Sequence, residues 1–486
     1  MARDEAEIHV VILPWLAFGH MTPFLQLSIA LAKLRIHVSF ISTPRNIQRL
    51  PKIPSTLAPF LDLVSFPLPQ LQPPAAGLLP ENAEATVDVP WEKVQYLKMA
   101  YDLLQEPFKN FIAEKLPNWI ILDIAPYWAS DIARDFNIPT IAYSIMPAVA
   151  LLFFGPPECL AGEGQRKVRP TPESLTVSPD WIDFESKVTC KHFEAISLHA
   201  GLYGKNASGV SDAERAAKIF KSARAMAIRT CPEFEADYLN TYEKVMRKPV
   251  IPVGLLPPEQ SKDQKTKITQ EPWNSIFKWL DQQEPKSVVY VAFGSETKFT
   301  KEEIDELAYG IELSGLPFFW VLRKPDWAND TDFHEILPTG FGSRTAGRGI
   351  VHIGWAPQWE ILAHSSIGGS LYHVGLSSTV ESLQYGHSLA FLPFVADQPL
   401  NARLLVEKGL GIEVERDELD GKFSRKGIET ALRKVMVSEE SENVRVRARE
   451  AAAFFGDRKL HDNYVRMFAE YLKNGDEQQD KGETKV

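Results

Sequence analysis

Short apolar runs of strand length alternate with longer helix-patterned stretches along the first half of this chain, and after a change of composition the alternation begins again. In the first half the clearest runs are IHVVILPW, HVSFIST, DLVSFPL and NWIILD; in the second they are SVVYVAFGS, FFWVL, GIVHIGW, GGSLYH and SLAFLPF. Runs apolar at successive positions suit strands buried on both faces, and strands separated by helices suit a covered parallel sheet. Between the two series lies Lys248–Pro272, KPVIPVGLLPPEQSKDQKTKITQEP, whose Pro, Lys and Gln content reads as a linker. At 486 residues the chain exceeds what one ordinary core holds. The expected fold class is therefore α/β with two facing Rossmann-like domains, over 1–247 and 273–448. A helical pattern over 449–473 offers Phe454, Phe455, Tyr464, Met467, Phe468 and Tyr471 for burial and is expected to pack across both domains; the polar stretch 474–486 is expected to be disordered.

Open α/β sheets bind ligands beyond the carboxyl ends of their strands, so two facing sheets make a cleft, and the chemistry is expected there. The formal net charge of −10 opposes any function built on a broad basic surface, which excludes nucleic acid as an expected partner. Cys159, Cys190 and Cys231 are an odd set without C-x-x-C spacing, as expected of reduced thiols in a cytoplasmic protein with no metal cluster. The amino terminus, MARDEAEIHV, is acidic where a secretory signal would be basic. The apolar stretch Ile141–Gly155 is broken by Pro147 and too short to span a membrane, so it reads as a buried strand followed by a pocket-lining loop. A monomer is expected.

Chemistry-bearing residues concentrate in the run from Trp355 to Gln398, WAPQWEILAHSSIGGSLYHVGLSSTVESLQYGHSLAFLPFVADQ. A flat indole such as Trp355 can stack on a base. His373, Gly375, Ser377 and Ser378 stand ahead of a helix whose free N–H groups suit phosphate. Glu381 can accept hydrogen bonds from vicinal hydroxyls, although Ser378-Thr-Val-Glu381 also reads as a capping box that needs no ligand. Gly294-Ser295, after SVVYVAF, form a second tight turn, and Asp397-Gln398 offer acceptors and donors to hydroxyl groups. In the first half His20 follows the first strand in LPWLAFGHMTP and Asp123 ends NWIILD, so both fall at one sheet edge. The first helix is expected over 22–34, with Thr22 as cap and Pro23 at its first position. An imidazole titrating near pH 6.5 can take the proton of an alcohol as that alcohol attacks. His9, His37, His364 and His387 gain no such support and read as structural.

The ordered run resembles the signature box of the plant secondary-metabolite UDP-dependent glycosyltransferases, where W-x-P-Q, H-C-G-W-N-S, a Glu and a closing D/E-Q follow in that order. PWLAFGHMTP, the FGSE loop and the closing helix extend the resemblance over nearly the whole chain. It implies the GT-B architecture, with the acceptor mainly on the first domain and the UDP-sugar mainly on the second. It further implies that His20 is a catalytic base partnered by Asp123, that Trp355 and Gln358 lie at the nucleoside and Glu381 at the ribose, and that Asp397 and Gln398 meet the sugar. Gly294, Ser295, His373, Gly375, Ser377 and Ser378 would then surround the diphosphate. No cofactor or metal is implied; the co-substrate expected is UDP-glucose.

The departures from that box carry information of their own. Val374-Gly375-Leu376-Ser377-Ser378 replaces C-G-W-N-S. Cys to Val reads as a small packing change, Leu376 removes an indole that helps position the sugar, and Ser377 shortens an amide that reaches phosphate. Relaxed H-x-G-x-S-S boxes, PWLAFGH and the run ELSGLPFFWVL resemble the branch that extends existing glycosides. The acceptor implied is a small hydrophobic metabolite already bearing a sugar, on a terpenoid, steroid or flavonoid; the alternatives are an aglycone as acceptor and UDP-rhamnose as donor, the latter because Leu376 suits a methyl group. A nicotinamide-dependent oxidoreductase is disfavoured because LPWLAFGHMTP lacks G-x-G-x-x-G. A non-catalytic binding protein would have no need of both His20 and Asp123. Acceptor walls are expected from the loops near 80–95 and 145–205, including Phe153, Phe154 and His192.

Overall fold

The computed structural model describes residues 8–162, 169–258, 270–328 and 333–475. The expected strands form, and three further strands join them. In the first half β1 (His9–Leu13), β2 (His37–Ser42), β3 (Leu61–Ser65), β4 (Trp119–Leu122), β5 (Thr140–Ser144), β6 (Ala225–Ile228) and β7 (Val250–Pro252) make a parallel sheet in the order β3-β2-β1-β4-β5-β6-β7. In the second half β8 (Val288–Ala292), β9 (Phe318–Leu322), β10 (Gly349–Ile353), β11 (Ile367–Tyr372), β12 (Ser388–Phe391) and β13 (Gly411–Glu413) form another in the order β10-β9-β8-β11-β12-β13. Strand order reverses between β1 and β4 in one sheet and between β8 and β11 in the other. Those two switch points are where a doubly wound sheet opens a crevice.

The apolar runs are explained by burial on both faces. Along β1, Val10 and Ile12 pack with Phe24, Leu27 and Leu31 on one side, while Val11 and Leu13 pack with Leu97, Tyr101 and Phe108 on the other. Along β8, Val289 and Val291 face one layer and Val288, Tyr290 and Ala292 the opposite one. Period-two alternation is thus present, but both sets are apolar, as in strands covered by helices on each side.

Four local expectations change. The first helix is Phe18–Lys33, because the Ala17 carbonyl already accepts from the N–H groups of His20 and Met21; Pro23 lies inside it and forgoes one helical hydrogen bond. The loop expected after β5 is a helix, Ala148–Phe154, with Pro147 as its cap residue. Its first N–H groups are satisfied by a distant side chain: Glu235 accepts from Ala148 N at 3.1 Å and from Val149 N at 2.8 Å. The stretch read as a linker opens with β7, the edge strand of the first sheet, and its residues 259–269 lie outside those described. The closing helical pattern is two helices, Glu442–Phe455 and Arg458–Asn474, divided at Gly456-Asp457, where Asp457 caps the second by accepting from Leu460 N at 3.1 Å.

The second of these helices returns the chain to the first sheet. Val465, Phe468, Ala469 and Leu472 repeat at helical spacing and pack against the layer beneath β1, and Trp119 Nε1 donates to the Leu472 carbonyl at 2.8 Å. Met467 falls off that stripe and is exposed, unlike Phe455 and Phe468. The tail expected to be disordered falls largely on 476–486, outside the described residues. Among the described residues no helix is long and apolar enough to cross a membrane, and the three cysteines are buried and form no disulfide.

Candidate active site

The first switch point brings together two residues far apart in sequence. β1 delivers the Pro14–Ala17 turn and His20 in the first turn of the following helix, and β4 delivers Asp123. Asp123 is nearly fully buried, with a side-chain exposure of 1%, against 21% for His20. Its Oδ2 accepts from Trp15 N at 2.8 Å and stands 2.8 Å from His20 Nδ1, while Oδ1 accepts from Ile124 N at 2.7 Å. A carboxylate held by backbone donors can only accept, so His20 Nδ1 carries the ring proton and Nε2 keeps its lone pair. Desolvation opposes protonation of His20. The charge and hydrogen bond of Asp123, with Asp397 and Glu296 adding to them, outweigh it and raise the ring above its usual value.

Glu296 was not singled out from the sequence, although it completes the quoted FGSE loop. It accepts from Thr86 Oγ1 at 3.0 Å, joining the second half of the molecule to the first. Desolvation in the cleft raises its pKa, opposed by Thr86, Arg323 and His20. Asp397 is likewise raised by desolvation, opposed by its bond from Asn401 Nδ2 at 2.9 Å. A histidine among three carboxylates can become a cation during reaction at little cost, and such a rim suits a partner rich in hydroxyl donors.

At the second switch point, Gly294 and Ser295 follow β8, and His373 follows β11. Gly294 has a φ of 69°, and a Cβ there would stand 2.7 Å from the His373 ring, so glycine is required both by conformation and by space. The His373 Nδ1 is buried without a partner among the described residues, and burial lowers the ring to about 4, keeping it neutral near pH 7. Val374 has a φ of 66°, uncommon for a β-branched side chain. Replacing Cys by Val therefore means more than a packing change. Asn401 Nδ2 donates to its carbonyl at 3.1 Å, which helps hold the turn.

The helix Leu376–Leu383 begins at Gly375, which supplies no side-chain cap. Ser378 lies inside the first turn, so the capping box expected from Ser378 and Glu381 does not form. The first N–H groups of the helix remain without intrahelical acceptors, an arrangement that attracts an anion. Glu381, 7% exposed, instead accepts a hydrogen bond from Gln358 Nε2. Gln358 Oε1 in turn accepts from Tyr290 at 3.0 Å. Desolvation raises Glu381, opposed by Trp359 and Gln358.

Trp355 is 65% exposed and meets Trp273 edge to face with ring centroids 6.4 Å apart. A core role for this indole is thereby excluded. Gln398 differs from expectation: its Oε1 accepts from Phe394 N at 2.9 Å and Val395 N at 3.1 Å, so the amide NH₂ is what it can offer a ligand. Leu376 also differs. It lines an apolar seam between the halves with Pro147, Phe234, Leu404 and Leu405. Phe153 and Phe154 are buried in the core on their helix, and His192 is exposed. His9 bonds Ser39 at 2.9 Å, His37 bonds Asp62 at 2.9 Å and His364 bonds Asp281 at 3.1 Å, while His387 is buried beside Ser370. Arg229, a buried cation reaching Ser377, was also missed.

Three comparisons with known proteins bear on this arrangement. Residues 256–448 match the family described as UDP-glucoronosyl and UDP-glucosyl transferase. The chain is 42% identical to UDP-glycosyltransferase 91C1 of Arabidopsis thaliana over 97% of its own length and 98% of that protein. It is 38% identical to soyasaponin III rhamnosyltransferase of Glycine max, covering 97% of this chain and 96% of that one. In fold it is similar to the crystal structure of UGT73P12 of Glycyrrhiza uralensis complexed with glycyrrhetinic acid 3-O-monoglucuronide, with a TM-score of 0.79 at 22% identity and 98% coverage of each chain.

Proposed function

The chain belongs to the plant UDP-glycosyltransferase family, and from that premise we propose that it transfers glucose from UDP-glucose, with inversion, to a hydroxyl of a small hydrophobic glycoside. The observation that carries the reading is the His20–Asp123 pair at the switch point of the first sheet, whose 2.8 Å bond directs the proton of the neutral ring to Nδ1 and leaves the lone pair on Nε2. In the proposed reaction His20 takes the acceptor's hydroxyl proton as its oxygen attacks the anomeric carbon. The bond from that carbon to the β-phosphate oxygen breaks and UDP departs. One direct displacement changes the configuration once. Asp123 stabilises the resulting imidazolium, and such a positioned base contributes roughly 100- to 10,000-fold in rate.

Departing negative charge falls to the first turn of Leu376–Leu383, whose N–H groups provide positive potential without a metal ion. Trp355 stacks on the uracil, and Gln358 with Glu381 takes the ribose. Gly294, Ser295, His373, Gly375, Ser377 and Ser378 surround the diphosphate, and Asp397 and the Gln398 amide meet the sugar. The acceptor is read as a glycoside because Glu296 and Asp397 flank His20 with acceptors that sugar hydroxyls can satisfy. Cytoplasmic, monomeric action completes the proposal.

A second donor is favoured by one observation: a relative is named as a rhamnosyltransferase. Against it stands the place of Leu376, which lines an apolar seam with Pro147, Phe234 and Leu404. Incubation with UDP-glucose or UDP-rhamnose and a panel of monoglycosides, followed by UDP release, product mass and anomeric configuration by NMR, tests the reading. A faster reaction with UDP-rhamnose reverses the donor assignment, and a product retaining the donor's configuration contradicts direct displacement.

A further inference from the structure

Arg229 follows β6 at the carboxyl edge of the first sheet, and its side chain is among the largest that are fully buried, at 1% exposure. It nevertheless belongs to both halves of the molecule. Nε donates to the Leu255 carbonyl at 2.8 Å, and Nη1 crosses to Ser377 Oγ at 2.6 Å. Among the described residues it forms no ion pair. Burial opposes its charge, and only Tyr143 and Glu381 act in the other direction. A guanidinium stays ionised in a protein, so the molecule bears a desolvated cation with no anion bonded to it, a costly arrangement unless an anion arrives.

The direction of the bond to Ser377 matters more than its length. Arginine has donors only, so the Ser377 oxygen must accept, and its own O–H is turned away to donate elsewhere. Ser377 is the second residue of Leu376–Leu383, whose first turn has no side-chain cap. His373, whose Nδ1 is buried and unpartnered, stands against Gly375, the cap residue of the same helix. Helix N–H groups, an oriented hydroxyl and a cation behind it make a set dominated by donors, and such a set is satisfied by a ligand with several anionic oxygens.

We propose that Arg229 is a positioning residue for the donor diphosphate: it fixes the Ser377 hydroxyl as a donor to a phosphate oxygen and sets positive charge from the first domain behind the phosphate-binding turn of the second. The inference rests on the reading of that turn as the diphosphate site. It makes the short Ser377 side chain part of a two-residue relay that spans the domain boundary.

Titration calorimetry with UDP and with uridine separates this role from a structural one, because uridine lacks the diphosphate. Arg229→Met and Ser377→Ala are each expected to weaken UDP binding by about tenfold or more while leaving uridine binding unchanged. The double variant is expected to be no weaker than the worse single variant, since the two act in series, and Arg229→Lys is expected to recover part of the loss. A wild-type ratio of UDP to uridine affinity in both single variants overturns the proposal. Should Arg229→Met fail to fold in a thermal melt, Ser377→Ala decides alone by the same ratio. Trp355→Ala and Glu381→Gln serve as controls for the site itself. If they weaken UDP binding and the relay variants do not, the relay alone is wrong; if none of the four does, the donor-site reading falls with it.

Discussion

Asp123 Oδ2 is shared between the Trp15 N–H and the His20 ring, each at 2.8 Å. One buried oxygen therefore ties the turn after β1 to the base that the turn presents. Replacing Asp123 by Asn keeps most of the shape but allows the ring to adopt the tautomer with its proton on Nε2. We expect a loss of roughly 100- to 10,000-fold in kcat with UDP affinity within about twofold of wild type. A kcat within threefold of wild type would reduce Asp123 to a structural role.

The pH profile reports the same pair. His20 must be neutral to accept a proton, and its pKa lies above the ordinary 6.5. The acid limb of kcat/KM is therefore expected above pH 6.5, with activity lost as pH falls through it. Asp123→Asn removes the largest raising influence and leaves desolvation opposed only by Asp397 and Glu296, so the limb should move to lower pH along with the fall in rate. An acid limb unmoved by the substitution would assign the titration to another group.

Trp355 is exposed enough for its loss to spare the core. Trp355→Ala is expected to weaken UDP binding by about 1 to 3 kcal/mol, the usual worth of base stacking, with the melting temperature within about two degrees of wild type. Unchanged UDP affinity would remove Trp355 from the nucleoside site.

Glu296 bears on the acceptor. Its carboxylate reaches Thr86 across the cleft and raises the pKa of His20, so it lies near enough to meet a sugar held there. In matched competition a monoglucoside is expected to react faster than its own aglycone. Glu296→Gln should reduce that preference several-fold, because an amide offers one acceptor oxygen where the carboxylate offers two. Equal preference in the variant would locate sugar recognition elsewhere.

What could be read in advance follows from how locally each feature is encoded. The long strands were legible because β1, β4 and β8 are apolar on both faces. AMAI, VIP and GIE, the cores of β6, β7 and β13, are too short to stand out. The helix Ala148–Phe154 was hidden because the donor-capping carboxylate comes from Glu235, far along the chain. Trp355, His373, Glu381 and the His20–Asp123 pair stand out as candidates because an ordered motif or a strand end carries them. Arg229 and Glu296 do not, since their contacts to Ser377 and Thr86 exist only after two sheets face each other.

In the proposed reaction His20 activates an acceptor hydroxyl against a UDP-sugar bound on the other domain. Acceptor-dependent UDP release from UDP-glucose and a monoglycoside, measured for wild type and His20→Ala at matched UDP occupancy, tests it most directly. Release with formation of a hexosyl-extended product is expected of the wild type, and a rate lower by about 100- to 10,000-fold of the variant, with UDP affinity nearly unchanged. Turnover by His20→Ala at the wild-type rate would contradict it.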